Sequence, residues 1–225
     1  GTEGRWSLLA PRDQTISITE QKMEHARQLL DRTGIVTRES VGAENIVGGF
    51  SAVYPILRAL EDSGQIRRGY FIEGLGAAQF AAPGADERLR NLATPDDSTN
   101  SRTVILSAVD PANPFGSVIP WPKLGSSKAS KPQRTAGALV IVRSGFALGY
   151  LNRSFDALTT FRQSAQQSQT STSAIANAIA ELAQSRGSIM LTSIDGFAAD
   201  TSELAADFVA AGFQSSSSGL RHRGI

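Results

Sequence analysis

The chain contains no cysteine, which excludes disulfides, thiolate nucleophiles and zinc ribbons together. Histidine occurs only at positions 25 and 222, too few for most metal or triad chemistry, so no metal site is expected. No G-x-x-x-x-G-K-[ST] loop is present and no helicase acidic box follows, so the chain by itself is not expected to hydrolyse ATP. Gly74-Leu75-Gly76 sits in a predicted hairpin turn, not between a strand and a helix, and carries no nucleotide reading. Formal net charge is only +1, so there is no global basic field, and any surface for a polyanion must come from local clustering. No apolar run approaches membrane-spanning length, and the first residues do not read as a signal peptide. A soluble chain of the cytoplasm, with no membrane partner, is the expectation.

What is present suits a globular protein. Hydrophobic residues make up 40% and charged residues 19% of 225 positions, enough chain for one large domain or two small ones. The most organised stretch runs from Gly34 to Phe80. Thr37 is a cap for a short helix carrying Val41, with Glu39 and Glu44 toward solvent. Gly48-Gly49 breaks the chain. Phe50, Val53, Tyr54, Leu57 and Leu60 then recur at helical spacing, with Pro55 near the start of that helix and Gly64 as its left-handed stop. Phe71 and Ile72 are strand formers, Gly74 and Gly76 make a turn, and Gln79–Ala81 returns. Helix, turn, helix and hairpin in that order predict a winged helix. Such a fold lays its second helix in the major groove of DNA and its hairpin against the backbone or the minor groove. Arg58 on the helix and Arg67 and Arg68 at the hairpin base are the cations placed to neutralise phosphates. A protein–protein module without DNA contact is the alternative.

The strings GGFSAVYPILRALEDSGQIRRGYFIEGLGAAQFAAPGA, AVDPANPFGSVIPWP, RTAGALVIVRSGFALGYLNR and SIMLTSIDG resemble the C-terminal region of the bacterial Lhr (large helicase-related) family, from about Met23 onward. The resemblance implies a parent whose N-terminal part is an ATP-driven DNA helicase using ATP and Mg, with no cofactor in this chain. It also implies tandem winged helices followed by a β-barrel-like module related to AlkZ-type DNA glycosylases, linked to uracil removal in DNA repair. The implied partners are single-stranded or tailed duplex DNA, the rest of the parent chain and a homo-oligomer, in the cytoplasm at the nucleoid. The alternative is a non-catalytic structural or oligomerisation module of the parent.

The remaining chain fits an α+β fold. Residues 1–18 read as the end of a preceding module, in a chain cut from a longer protein, with Trp6 as a packing anchor. Thr19 opens a helix with Met23, Ala26, Leu29 and Leu30 on one face, the winged-helix domain spans 19–93, and Ala93–Arg102 is a polar boundary. A strand-rich domain with two covering helices follows over 103–225. In it Ser144-Gly145 marks a hairpin, Lys123–Thr135 reads as a flexible basic loop, Ser173 caps a helix, and Ser188–Asp195 is a strand. Ser202 caps a last helix with Leu204, Phe208 and Val209, and the chain closes on a Ser-rich tail.

Base excision needs a pocket for a flipped base and a carboxylate that steadies a cationic sugar or orients water. Asp195 and Asp110 stand at strand ends, where side chains face a mouth; turn capping is the competing role for each. Asp200 and Asp207 fall on a helix and its approach and read as solvated. Gln167-Ser168-Gln169 spells the Q-x-Q of AlkZ-type enzymes inside a low-complexity stretch, as coincidence would. Phe115 and Trp121, in a proline-rich loop, are base-stacking candidates, with packing the preferred role for Trp121. Lys123, Lys128, Lys131, Arg134, Arg221 and Arg223 are candidates for phosphate contact.

Overall fold

The computed structural model describes residue 8 and residues 17–76, 78–93, 102–162 and 168–224. The chain divides into two compact units, Gly1–Ala93 and Thr94–Ile225. Trp6, Gln167 and most of the 93–102 segment lie outside the described residues.

In the first unit α1 (Ile18–Thr33) opens on a capping box. The Ser17 hydroxyl accepts the Glu20 amide while the Glu20 carboxylate accepts the Ser17 amide and hydroxyl, which satisfies end groups the helix leaves unpaired. Those two bonds, the amide first, hold the Glu20 carboxyl below its ordinary pKa. Their contribution is therefore present at neutral pH and is lost as pH falls through that lowered value. β1 (Ile35–Val36) leads into α2 (Arg38–Ala43), capped by Thr37 and Ser40 in a second box. Gly48 and Gly49, at φ +82° and +56°, turn the chain into α3 (Gly49–Asp62). Pro55 lies in the interior of α3, not near its start as expected. It leaves the Ser51 carbonyl without an intrahelical donor, on the exposed face where water can reach it. β2 (Arg67–Gly69) and β3 (Gln79–Ala81) complete a three-stranded sheet in the order β1-β3-β2, and α4 (Ala85–Ala93) follows. Ala26, Leu29, Val36, Val41, Val53, Leu57 and Phe80 form one core. This is a winged helix.

The wing differs from the sequence expectation. Phe71 and Ile72 do not extend β2, which stops at Gly69. Their amides donate instead to Gln79 Oε1, both at 2.8 Å, while Gln79 Nε2 donates to the carbonyls of Ile72 and Leu75. A fully buried glutamine side chain thus replaces the strand ladder.

The second unit is built on a six-stranded sheet in the order β10-β9-β7-β6-β5-β4. Its strands are β4 (Thr103–Ser107), β5 (Leu139–Arg143), β6 (Phe146–Leu151), β7 (Ala157–Thr160), β9 (Ser193–Ile194) and β10 (Phe197–Ala198). β7 and β9 are parallel, which requires a crossover, and α5 (Ser168–Arg186) with β8 (Ser188–Leu191) provides it. A bulge in β6 pairs Ile141 with Gly149 but Val142 with Ala147. Leu148 is the extra residue, and it turns to the face that packs on α5. On that face Ile141, Leu151 and Leu158 meet Ile175, Ile179 and Ala183 of α5. On the other, Val140, Ala147, Tyr150 and Phe161 are covered by Phe115, Trp121 and Leu124 from the proline-rich loop.

A second sheet, β11-β12-β8, adds β11 (Gln214–Ser216) and β12 (Gly219–Arg223), with α6 (Ala205–Ala210) beside it. The expected tail is therefore a central strand: Leu220 and His222 point inward, Arg221 and Arg223 outward. α5 starts at Ser168, five residues before the expected cap, and Val209 is half exposed instead of core. The architecture is α+β, but the sheet is open, with β4 at one edge, and not a closed barrel. No described helix is long and apolar enough to cross a membrane.

Candidate nucleic-acid interface

The outer face of α3 carries Ser51, Pro55, Arg58, Ala59 and Asp62, at the i, i+4, i+7 spacing of one helix side. Each of the three arginines expected to meet phosphate has an acid beside it. Arg58 stands 4.0 Å from Asp62, Arg67 3.8 Å from Asp86, and Arg68 3.2 Å from Glu61. Their side chains remain 62%, 76% and 44% exposed. Only Arg58–Asp62 is exposed on both sides; such pairs are worth about 0–1 kcal/mol, so a phosphate can exchange for Asp62 at small cost. Asp86 is buried but keeps Arg90 at 3.4 Å as a second partner, and Glu61 is 24% exposed, so Arg67 and Arg68 can turn to a phosphate only at a larger cost. Between residues 17 and 93 there are nine Lys and Arg against ten Asp and Glu. The winged helix therefore offers cations on a nearly neutral background.

The second unit has the opposite balance. Residues 102–224 contain eleven Lys and Arg and seven Asp and Glu, and all the ion pairs among the described residues fall in the first unit. Not every cation is available, however. Arg134 is half-buried, donating Nη1 to the carbonyls of Asn113 (2.7 Å) and Phe115 (3.1 Å) and Nη2 to that of Asp110 (3.2 Å). It pins the loop that was expected to be flexible, and its guanidinium faces carbonyls, not solvent. Lys128 places its ammonium 4.6 Å from the Phe197 ring centroid. Lys123 and Lys131 are exposed, as are Arg221 and Arg223 on the solvent side of β12.

The two stacking candidates are both engaged. Phe115 is 8% exposed and belongs to the core. Trp121 stacks on Phe161 at 6.0 Å and 15°, and meets Tyr150 edge-on at 5.8 Å. Its indole edge lies over Gly116, where any side chain would collide with it.

Asp195 and Asp110 stand apart in their roles. The Asp195-Gly196 pair, both at positive φ, makes the two-residue turn from β9 to β10. In that conformation the Asp195 carboxylate takes over the end of the β7–β9 ladder. Oδ1 accepts the Thr160 amide at 2.7 Å and Oδ2 the Thr160 hydroxyl at 2.6 Å. Replacing Asp195 by alanine strands that amide and is expected to destabilise the unit by about 2 kcal/mol, whereas Asp195→Asn keeps an acceptor and loses less; thermal melts of the two variants measure the difference. Asp110 accepts the Ala112 amide at 2.7 Å, an Asx turn that opens the proline-rich loop. Asn113, missed by sequence reasoning, finishes it: buried, it donates to the Ala108 carbonyl and accepts the Phe115 amide.

Residues 15–101 match the winged-helix domain of the large helicase-related protein family. The chain is 48% identical over 149 residues to the Lhr helicase/uracil glycosylase of Escherichia coli K12, covering 66% of the chain. It is 38% identical over 180 residues, 78% of the chain, to the Lhr helicase/probable uracil glycosylase of Mycolicibacterium smegmatis. This chain belongs to the Lhr family. It spans 9% and 12% of the lengths of those two Lhr proteins, so it corresponds to a small part of each. Within this Lhr segment the features the family match explains are α3 and the wing; the open sheet and its loop lie beyond the matched winged helix.

Proposed function

We propose that this chain is a DNA-binding region of a larger Lhr-type helicase and holds single-stranded or tailed DNA for a motor supplied by the rest of the parent protein, which would use ATP and Mg. The observation that carries the reading is the winged helix itself, in a helicase-related family, with Arg58, Arg67 and Arg68 exposed on α3 and at the base of the wing. Fluorescence anisotropy with a single-stranded oligonucleotide at 50 and 200 mM salt tests it. Affinity is expected to fall steeply across that range, as release of counterions from phosphates requires. No binding, or binding indifferent to salt, would favour a docking or oligomerisation module instead.

Uracil excision by the same region is a second reading, and the names of both relatives favour it. The bond from sugar C1′ to the base nitrogen would break as water adds to C1′, with a carboxylate orienting that water. Asp195 and Asp110 are the candidates, although each already accepts hydrogen bonds within the fold. Alkali-revealed cleavage of a uracil-containing strand is the assay. If Asp195 is the catalytic carboxylate, Asp195→Asn abolishes cleavage while the chain stays folded; cleavage retained in both Asp195→Asn and Asp110→Ala rejects both assignments.

A further inference from the structure

We infer that the end of the six-stranded sheet at the β5–β6 turn is a second contact for single-stranded nucleic acid, with Phe146 as a stacking platform amid Arg102, Lys123, Arg143 and Arg162. All five residues belong to the second unit, not to the winged helix, and the inference rests on the DNA-binding reading above.

Register brings the five together. β4 and β5 pair Thr103 with Arg143, which sets Arg102 beside the start of that ladder. Across the two-residue Ser144-Gly145 turn, Arg143 is directly opposite Phe146, so both side chains lie on one face. β7 runs to the same end, because the Phe161 amide donates to the Leu148 carbonyl at 3.0 Å. The Arg162 amide then donates to the Lys123 carbonyl at 2.8 Å, joining the proline-rich loop to the end of β7. Arg102, Lys123 and Arg162 are exposed and Arg143 half-buried.

Three observations point to a strand of nucleic acid as the occupant. First, no ion pair engages any of the four cations among the described residues, in contrast to the arginines of the winged helix. The carboxylate that approaches this end, Asp195, has both oxygens bonded to Thr160. Second, Phe146 is 55% exposed, and among the described residues the cation–π contacts of this unit are made by Phe155 and Phe197, with no described cation over the Phe146 ring. Third, cations flanking an uncovered aromatic ring are what a single strand uses: phosphates meet the charges while an unstacked base lies on the ring, with no need for a particular sequence.

The test uses the whole chain and a fluorescent oligothymidine. Substituting Lys123→Gln, Arg143→Gln and Arg162→Gln together is expected to weaken binding roughly tenfold to a hundredfold near 0.1 M salt and to shrink the slope of log affinity against log salt by about two. Phe146→Ala is expected to weaken binding roughly tenfold with the slope unchanged, and Phe146→Leu, which keeps apolar bulk without an aromatic face, by nearly as much. Melting curves matching wild type show that these surface changes leave the fold intact. Wild-type affinity and slope in the folded triple variant overturn this contact while leaving the DNA-binding reading standing. Failure of the wild-type chain itself to bind overturns both.

Discussion

Arg134→Ala is expected to lower the stability of the second unit by about 3 kcal/mol, a melting shift of about 10 °C, without changing the salt dependence of DNA binding. The guanidinium donates to three carbonyls spread over Asp110, Asn113 and Phe115, and charge-assisted bonds of this kind are stronger than neutral ones. Its loss leaves those carbonyls facing an apolar loop that must keep Phe115 and Trp121 on the sheet. Arg134→Lys should recover little, because one ammonium cannot reproduce a planar fork reaching three acceptors. A normal melt with a reduced salt slope would instead return Arg134 to the phosphate-contacting set.

Gln79→Leu has a comparable expected effect in the first unit, about 3 kcal/mol. The leucine fills similar space but leaves the Phe71 and Ile72 amides and the Ile72 and Leu75 carbonyls without the partner that shapes the wing. Hydrogen exchange should show the Phe71 and Ile72 amides losing protection first, while α1 and α3 keep theirs around Phe80 and Leu57. Uniform loss of protection throughout the unit would mean that the wing is not a separately held element.

Both effects come from polar side chains that sequence periodicity does not flag, and this sets the limit of what was legible. The cap at Thr37, the spacing of Val53, Leu57 and Leu60, and the Ser144-Gly145 turn are local signals, and the structure follows them; the first helix, expected to open at Thr19, starts at Ile18 on a Ser17 cap. Phe71 and Ile72 have strand propensity, but a glutamine seven and eight residues away claims their amides, a tertiary override that propensity cannot show. β12 was hidden because its inward positions are Leu220 and His222, so the alternation is masked by a residue usually read as polar. The loop to Thr135 looked flexible because the bonds that fix it span nineteen to twenty-four residues. Arg143, Phe146 and Arg162 drew no notice in the sequence since only strand register places them at one end of a sheet.

The measurement closest to the central claim is an NMR titration of the isotopically labelled chain with a short single-stranded oligonucleotide at low and high salt. The account predicts amide shift changes on α3 and the wing near Arg58, Arg67 and Arg68, together with a second cluster at Arg143–Phe146 and Phe161–Arg162, all fading as salt is raised. Spectra that stay unchanged at stoichiometric oligonucleotide, or changes that persist undiminished at high salt, would contradict it.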